Sequence, residues 1–282
     1  MKTKLLKSLT VRVPTVVAGV IWLTTSPLML HGATPGQKQI EQSFRNTYKG
    51  KTLVLRNFYV APTLEFDTKG DVIGPQGVGP WTLYSRMVVN GVRLKSNVLE
   101  IDGQRLFLLY VSKKKQFQAL RAGRIRIRLD LDHEPSSIQD LDPLLVEIFL
   151  KPGEDFSQLL PPYWRGFYSH MNDLDWSEKE AKKVGREHKT AANGWTPPLP
   201  IDKPEPGYSS EAREAKVNGT VVLAAVIDQD GHVADVALIR PLGMGLDENA
   251  VETIRTWTFK PAQQNGSPRA VRVVIEITFR LR

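Results

Sequence analysis

The chain has 282 residues, 41% of them hydrophobic and 24% charged; this is ordinary for folded globular protein, and the length suits two domains rather than one. It contains no cysteine, which excludes disulfides, thiolate metal centres and cysteine nucleophiles. Of the net charge of +8, four positive charges (Lys2, Lys4, Lys7 and Arg12) stand in a leader without acids; the remainder is mildly basic, so no nucleic-acid partner is expected.

Residues 1–33 read as a targeting segment. The basic start is followed by an apolar stretch over 13–23 and by a small-residue exit at Gly32 and Ala33, the pattern of a secretory signal peptide. The same stretch, extended to Leu30, reaches the lower limit of about 17 residues for a span, so an uncleaved inner-membrane anchor fits as well. Either way the bulk of the chain is expected in the periplasm.

Residues 44–190 are expected to be a β-rich domain with helices at its C-terminal end. Strand-like runs cover 51–60, 81–89, 93–101, 105–111 and 123–131, and the pairs Asn90-Gly91 and Asp102-Gly103 are turn signals because these residues tolerate positive φ. This predicts an antiparallel meander or a small barrel. Arg124, Arg126 and Arg128 share one strand face opposite Ile125, Ile127 and Leu129. They are candidates for an anionic-surface site, against the plainer reading of a wet strand face. Helical spacing follows at 138–149 and 155–168, and 176–188 is a charged helix or coil. Trp81, Trp164, Trp176 and Trp195 are packing or recognition aromatics. Residues 196–206 hold five prolines and are expected to be an extended linker.

From 207 the pattern changes. Ser209 caps a short helix over 209–216, and strands over 219–227 and 233–240 flank the turn Asp228 to Gly231. Leu246, Ala250, Ile254 and Trp257 recur on one helix face, and Asn265-Gly266 turns the chain into a last strand over 270–281. That strand alternates Val271, Val273, Ile275, Ile277, Phe279 and Leu281 with Ala270, Arg272, Val274, Glu276, Thr278 and Arg280: one apolar face, one mostly wet. No successor exists to pair with it, so a sheet edge is expected. The fold class is α+β, with a C-terminal α-β-β-α-β unit on a three-stranded antiparallel sheet.

Catalytic and metal chemistry is not in evidence. Asp228, Asp230 and His232 open like a calcium loop, but Ile239 stands where the twelfth-position glutamate belongs. Ser112 and Lys115 form a Ser-x-x-Lys string without its partner motifs. The glycines at 74, 77 and 79 do not link a strand to a helix, and His133, His170 and His188 lack metal spacing. No enzyme activity and no cofactor are expected.

Pro206, Gly207 and Tyr208, then Glu211, Ala212 and Arg213, then Gly219 to Val222, Val226 to Gly231, Val233, Leu246, Asp247, Ala250 and the run Trp257, Thr258, Phe259, Lys260, Pro261 together resemble the TonB C-terminal domain, over about 207–282. The resemblance implies a non-catalytic periplasmic module of an energy transducer that takes a segment of an outer-membrane transporter as an added β-strand. Its docking strand maps onto Ala270, Arg272, Val274, Glu276, Thr278 and Arg280. Two features depart from the family. The stretch 196–206 reaches only ~30 Å at ~3.1 Å per residue, and Ser26 and His31 are five apart where the family's anchor has a Ser and a His four apart. The alternative is an envelope-binding or structural protein whose C-terminal domain forms a homodimer.

Overall fold

A computed structural model describes residues 36–95, 97–186 and 194–281. The leader and His188 lie outside these residues. The described residues divide into two units: those up to 108 together with 119–156, and 109–118 together with those from 157 onward. The division falls at Phe156, not at the proline-rich stretch, so the helices beyond 156 belong with the C-terminal unit.

The first unit opens with α1 (Gln37–Tyr48), which the sequence reading missed although Ile40, Phe44 and Tyr48 recur at helical spacing and are buried. After β1 (Thr52–Val54), β2 (Thr63–Phe66) and a single helical turn α2 (Trp81–Tyr84) come three long strands, β3 (Arg86–Lys95), β4 (Val98–Val111) and β5 (Gln116–Asp130). The sheet order is β1-β3-β4-β5-β2. It is open, with β1 and β2 at its edges, so the barrel alternative fails. It is not a pure antiparallel meander either, because β2 joins β5 in parallel. The run from Trp81 does not begin as a strand: Pro80 sets its entry, and Trp81, Thr82 and Leu83 are all buried within one turn.

Neither turn signal in this sheet turns the chain. Val89 pairs with Gly103 and Gly91 with Asp102, so Asn90 is extruded as a bulge opposite the Asp-Gly pair. Gly103 is required there, because a Cβ would run into the Met87 side chain and the Val88 carbonyl. Alternation on β5 buries Ile125, Ile127 and Leu129 in one core with Met87, Val89, Leu99 and Ile101, under α1 and α3 (Asp142–Ile148). Arg105 is 4% exposed. Its guanidinium donates to the carbonyls of Tyr59 and Ala61, both at 2.7 Å, and of Tyr84 at 3.3 Å. It also stacks on the Tyr84 ring, 5.0 Å from the centroid. One side chain thereby joins the irregular segment at 59–61 and the end of α2 to β4. Burial pushes its pKa down to about 10, so it stays charged at neutral pH.

The second unit contains α4 (Pro162–Ser169), α5 (Trp176–Val184), β6 (Trp195–Thr196), β7 (Leu199–Asp202), α6 (Ser210–Glu214), β8 (Gly219–Ile227), β9 (Val233–Arg240), α7 (Leu246–Ile254), β10 (Thr258–Lys260), β11 (Ala262–Gln264), β12 (Ser267–Arg269) and β13 (Val271–Phe279). Its main sheet has the order β13-β8-β9, all antiparallel. Ser209 caps α6 by accepting from the Ala212 amide at 3.1 Å. The Asp228 carboxylate accepts from the Asp230 and His232 amides at 2.9 and 2.8 Å and so builds the β8–β9 turn; these bonds hold its pKa below the usual carboxylate range. Among the described residues there is no cluster of metal ligands.

The stretch expected as an extended linker is extended and is fastened to the C-terminal strands. β6 pairs with β11 and β7 with β10. The Trp257 indole N–H donates to the Pro204 carbonyl at 3.0 Å, and Asn249 Nδ2 to the Gly207 carbonyl at 2.9 Å. Prolines suit such edge strands because they lack the donor a central strand needs.

Candidate functional site

β13 pairs with β8 along its whole length, from Val271 opposite Ile227 to Phe279 opposite Gly219. No strand of the described residues pairs with its other side. That row of main-chain N–H and C=O groups is open to an added strand. On one face Val271, Ile277 and Phe279 are buried, while Val273 and Ile275 are half-buried. Two β-branched side chains at the middle of the edge therefore keep apolar surface that a further strand would cover.

The opposite face is not the wet face its alternation suggests. α5 lies across it: Ala181 and Val184 pack with Val222, Ala224, Ala237, Ile239 and Val274. Ser177 Oγ donates to the Ile239 carbonyl at 2.7 Å, and Arg272 pairs with Glu180 at 3.0 Å. Of the candidate docking residues, Arg272 and Val274 are thus engaged by α5, whereas Ala270, Glu276, Thr278 and Arg280 are exposed. Thr278 Oγ1 meets Thr220 Oγ1 across the ladder at 3.1 Å. Period-two alternation reports that these residues share a face; it carries no information on what covers that face.

The arginine face of the first unit remains exposed, but two of its three charges are met locally. Arg126 pairs with Asp102 at 2.8 Å and Arg128 with Asp130 at 3.6 Å. Arg93 joins Asp102 as well, at 2.9 Å, and these two arginines hold the Asp102 carboxyl below its usual range against the opposing effect of burial. Arg124 is exposed and has no ion-pair partner among the described residues. Of the tryptophans, Trp81 and Trp164 are core residues, and Trp176 stacks on His170 at 5.0 Å.

A buried carboxylate pair at the start of α7 went unread in the sequence. Asp247 is 0% exposed and accepts from the Leu242 and Gly243 amides at 2.8 and 2.7 Å. Glu248 Oε1 accepts from Trp164 Nε1 at 2.9 Å, and its Oε2 is buried without a hydrogen-bond partner among the described residues. Burial raises the pKa of both groups, and for Glu248 the neighbouring Asp247 adds to it. A carboxyl whose pKa rises on folding binds its proton more tightly when folded. Its contribution is present at low pH and lost as pH rises through the folded value. The urea midpoint of the C-terminal unit is therefore expected to fall between about pH 5 and pH 8. In a Glu248→Gln variant the fall should be shallower; an equal fall would remove Glu248 as its source.

The family match falls within the second unit. The model of the family described as Gram-negative bacterial TonB protein C-terminal matches residues 204–281. That segment belongs to the TonB C-terminal domain family. Protein TonB of Vibrio cholerae serotype O1 is 34% identical over 92 residues, covering 30% of this chain and 38% of the relative. Protein TonB of Xanthomonas campestris pv. campestris is 32% identical over 77 residues, covering 27% and 34%. The chain thus spans little more than a third of these relatives. The solution structure of the Pseudomonas aeruginosa TonB C-terminal domain aligns with 31% of this chain and 89% of its own, at 19% identity and a TM-score of 0.26.

Proposed function

We propose that this is a non-catalytic, periplasm-facing TonB-like protein that takes an extended segment of an outer-membrane transporter onto the free edge of β13, with a role in energy-coupled transport. The observation that carries this reading is the position of β13: outermost in its sheet, unpaired on one side among the described residues, within the segment that matches the family. A leader that exports or anchors the chain is part of the proposal. No helix of the described residues is long and apolar enough to cross a membrane.

The energetics set a condition on the partner. Each main-chain hydrogen bond contributes ~0.5–1.5 kcal/mol net, while ordering each residue of an incoming segment costs ~1–2 kcal/mol. The two nearly cancel, so affinity must come from side chains. Covering Val273 and Ile275 supplies part of it.

The full-length chain is expected to bind nine-residue β-branched peptides in titration calorimetry. N-methylation of alternate peptide amides should abolish binding, because it removes the donors an added strand uses. Sedimentation in the same buffer reads the rival use of the edge. A stable dimer that excludes every peptide would replace partner capture by self-association.

A further inference from the structure

The side-chain contribution that capture needs has a source outside the family match. α5 precedes residue 204, so it is a feature of this chain and not of the matched domain. Its contacts show its course: Ser177 near its start is fixed to β9, Glu180 further along pairs with Arg272 of β13, and Ala181 and Val184 share one core with Val274. A helix rises ~1.5 Å per residue and strands lie ~4.8 Å apart. From Ser177 to Val184, the last residue of α5, the helix therefore advances ~10 Å, the distance from β9 to β13, and a strand added outside β13 would lie one spacing further. The last turn of α5 thus comes over β13, one strand spacing from the place that strand would take, a distance that a lysine or arginine side chain spans.

That turn is cationic. Lys182 and Lys183 lie in it, Lys179 one turn earlier and Arg186 two residues past its end, all on the side away from Ala181 and Val184. They line an open pocket of about 460 Å³. Lys179 pairs with Asp173 at 3.3 Å and Lys183 with Glu180 at 3.8 Å, both partly solvated. Lys182 and Arg186 have no ion-pair partner among the described residues, and both are exposed. Cations suit the C-terminal end of a helix, where the backbone carbonyls carry partial negative charge. That explains one or two of them, not an unpartnered pair beside an open sheet edge.

We infer that α5 is a side wall of the docking edge and that the segment taken by β13 carries carboxylates on the side facing it, met by Lys182, Lys183 and Arg186. This rests on strand capture at β13. The acids belong at the end of the added strand that lies beside Arg272 and Val274. Further along the same face the exposed Glu276 favours the opposite charge. The pairs are rim contacts, so they set selectivity and rate of encounter more than they set affinity.

The test uses the full-length chain and three Val/Thr nine-residue peptides bearing two Glu, two Ser or two Lys at alternate positions near one end, each placed in turn at either end. The Glu peptide is expected to bind about tenfold more tightly than the Lys peptide at low salt, a preference that shrinks toward unity as salt rises. In a chain carrying Lys182→Ser, Lys183→Ser and Arg186→Ser the preference should vanish while the Ser peptide binds as before. Equal binding of all three peptides to the native chain overturns the wall and leaves strand capture standing. A preference that survives in the triple variant, or survives N-methylation of the Glu peptide, overturns the assignment to α5 or to an added strand. No binding by any peptide removes strand capture, and this inference with it.

Discussion

Asp247→Ala is expected to lower the stability of the C-terminal unit by about 2–6 kcal/mol, since two buried amides lose their acceptor at ~1–3 kcal/mol each. The segment before α7 explains the size. Pro241, Leu242, Gly243, Met244 and Gly245 are all buried, and Met244, Gly243 and Gly245 have positive φ. A backbone held in that shape cannot form the regular bonds that satisfy amides elsewhere, so the carboxylate does it. Native domains are stable by only ~5–15 kcal/mol, so the loss is a large part of the total. Urea unfolding followed by the fluorescence of Trp164 and Trp257 measures it. Asp247→Asn keeps one acceptor oxygen and should fall between the two. An unchanged midpoint for the alanine variant would mean that water reaches the Leu242 and Gly243 amides, contrary to their burial.

The comparable effect in the first unit is expected from Arg105→Met. Methionine fills most of the volume, so the change isolates the loss of donors. Hydrogen bonds to a charged group contribute ~1.5–3 kcal/mol each. Two good bonds at 2.7 Å, a weaker third and the ring contact with Tyr84 are removed together. Relief from burying the charge offsets part of that, which leaves an expected cost of roughly 3 kcal/mol. Arg105→Lys should rescue little, because a single ammonium on a flexible stem cannot reach three carbonyls on two segments. Hydrogen exchange locates the damage: the Val60 amide, bonded to Gly77, and the Gly79 amide, bonded to Phe58, should lose protection first. Unaltered exchange at both would show that the two segments stand without Arg105.

The C-terminal unit was the more legible half. Its elements carry their signals within a few residues of themselves: the Ser209 cap, the Asp228 carboxylate folding over its own turn, the positive-φ pair Asn265 and Gly266, the alternation of β13. In the first unit the same vocabulary misled. Asn90-Gly91 and Asp102-Gly103 each satisfy the requirements of a turn, and each is also tolerated at a bulge. The choice between turn and bulge depends on the strand opposite, which local sequence does not name. Arg105 looked like any strand arginine, and its three acceptors lie 21 to 46 residues away.

By itself the sequence determined α6, β8, β9, α7 and β13 and the apolar side of β13, because those properties follow from spacing and short-range hydrogen bonds. Only the tertiary structure decided what lies against those sides: α5 over Arg272 and Val274, the proline stretch fastened to β10 and β11, an acceptor for the amides before α7, and nothing of the described chain along the outer edge of β13. Periodicity specifies a face; the occupant of that face is set by packing between segments distant in sequence.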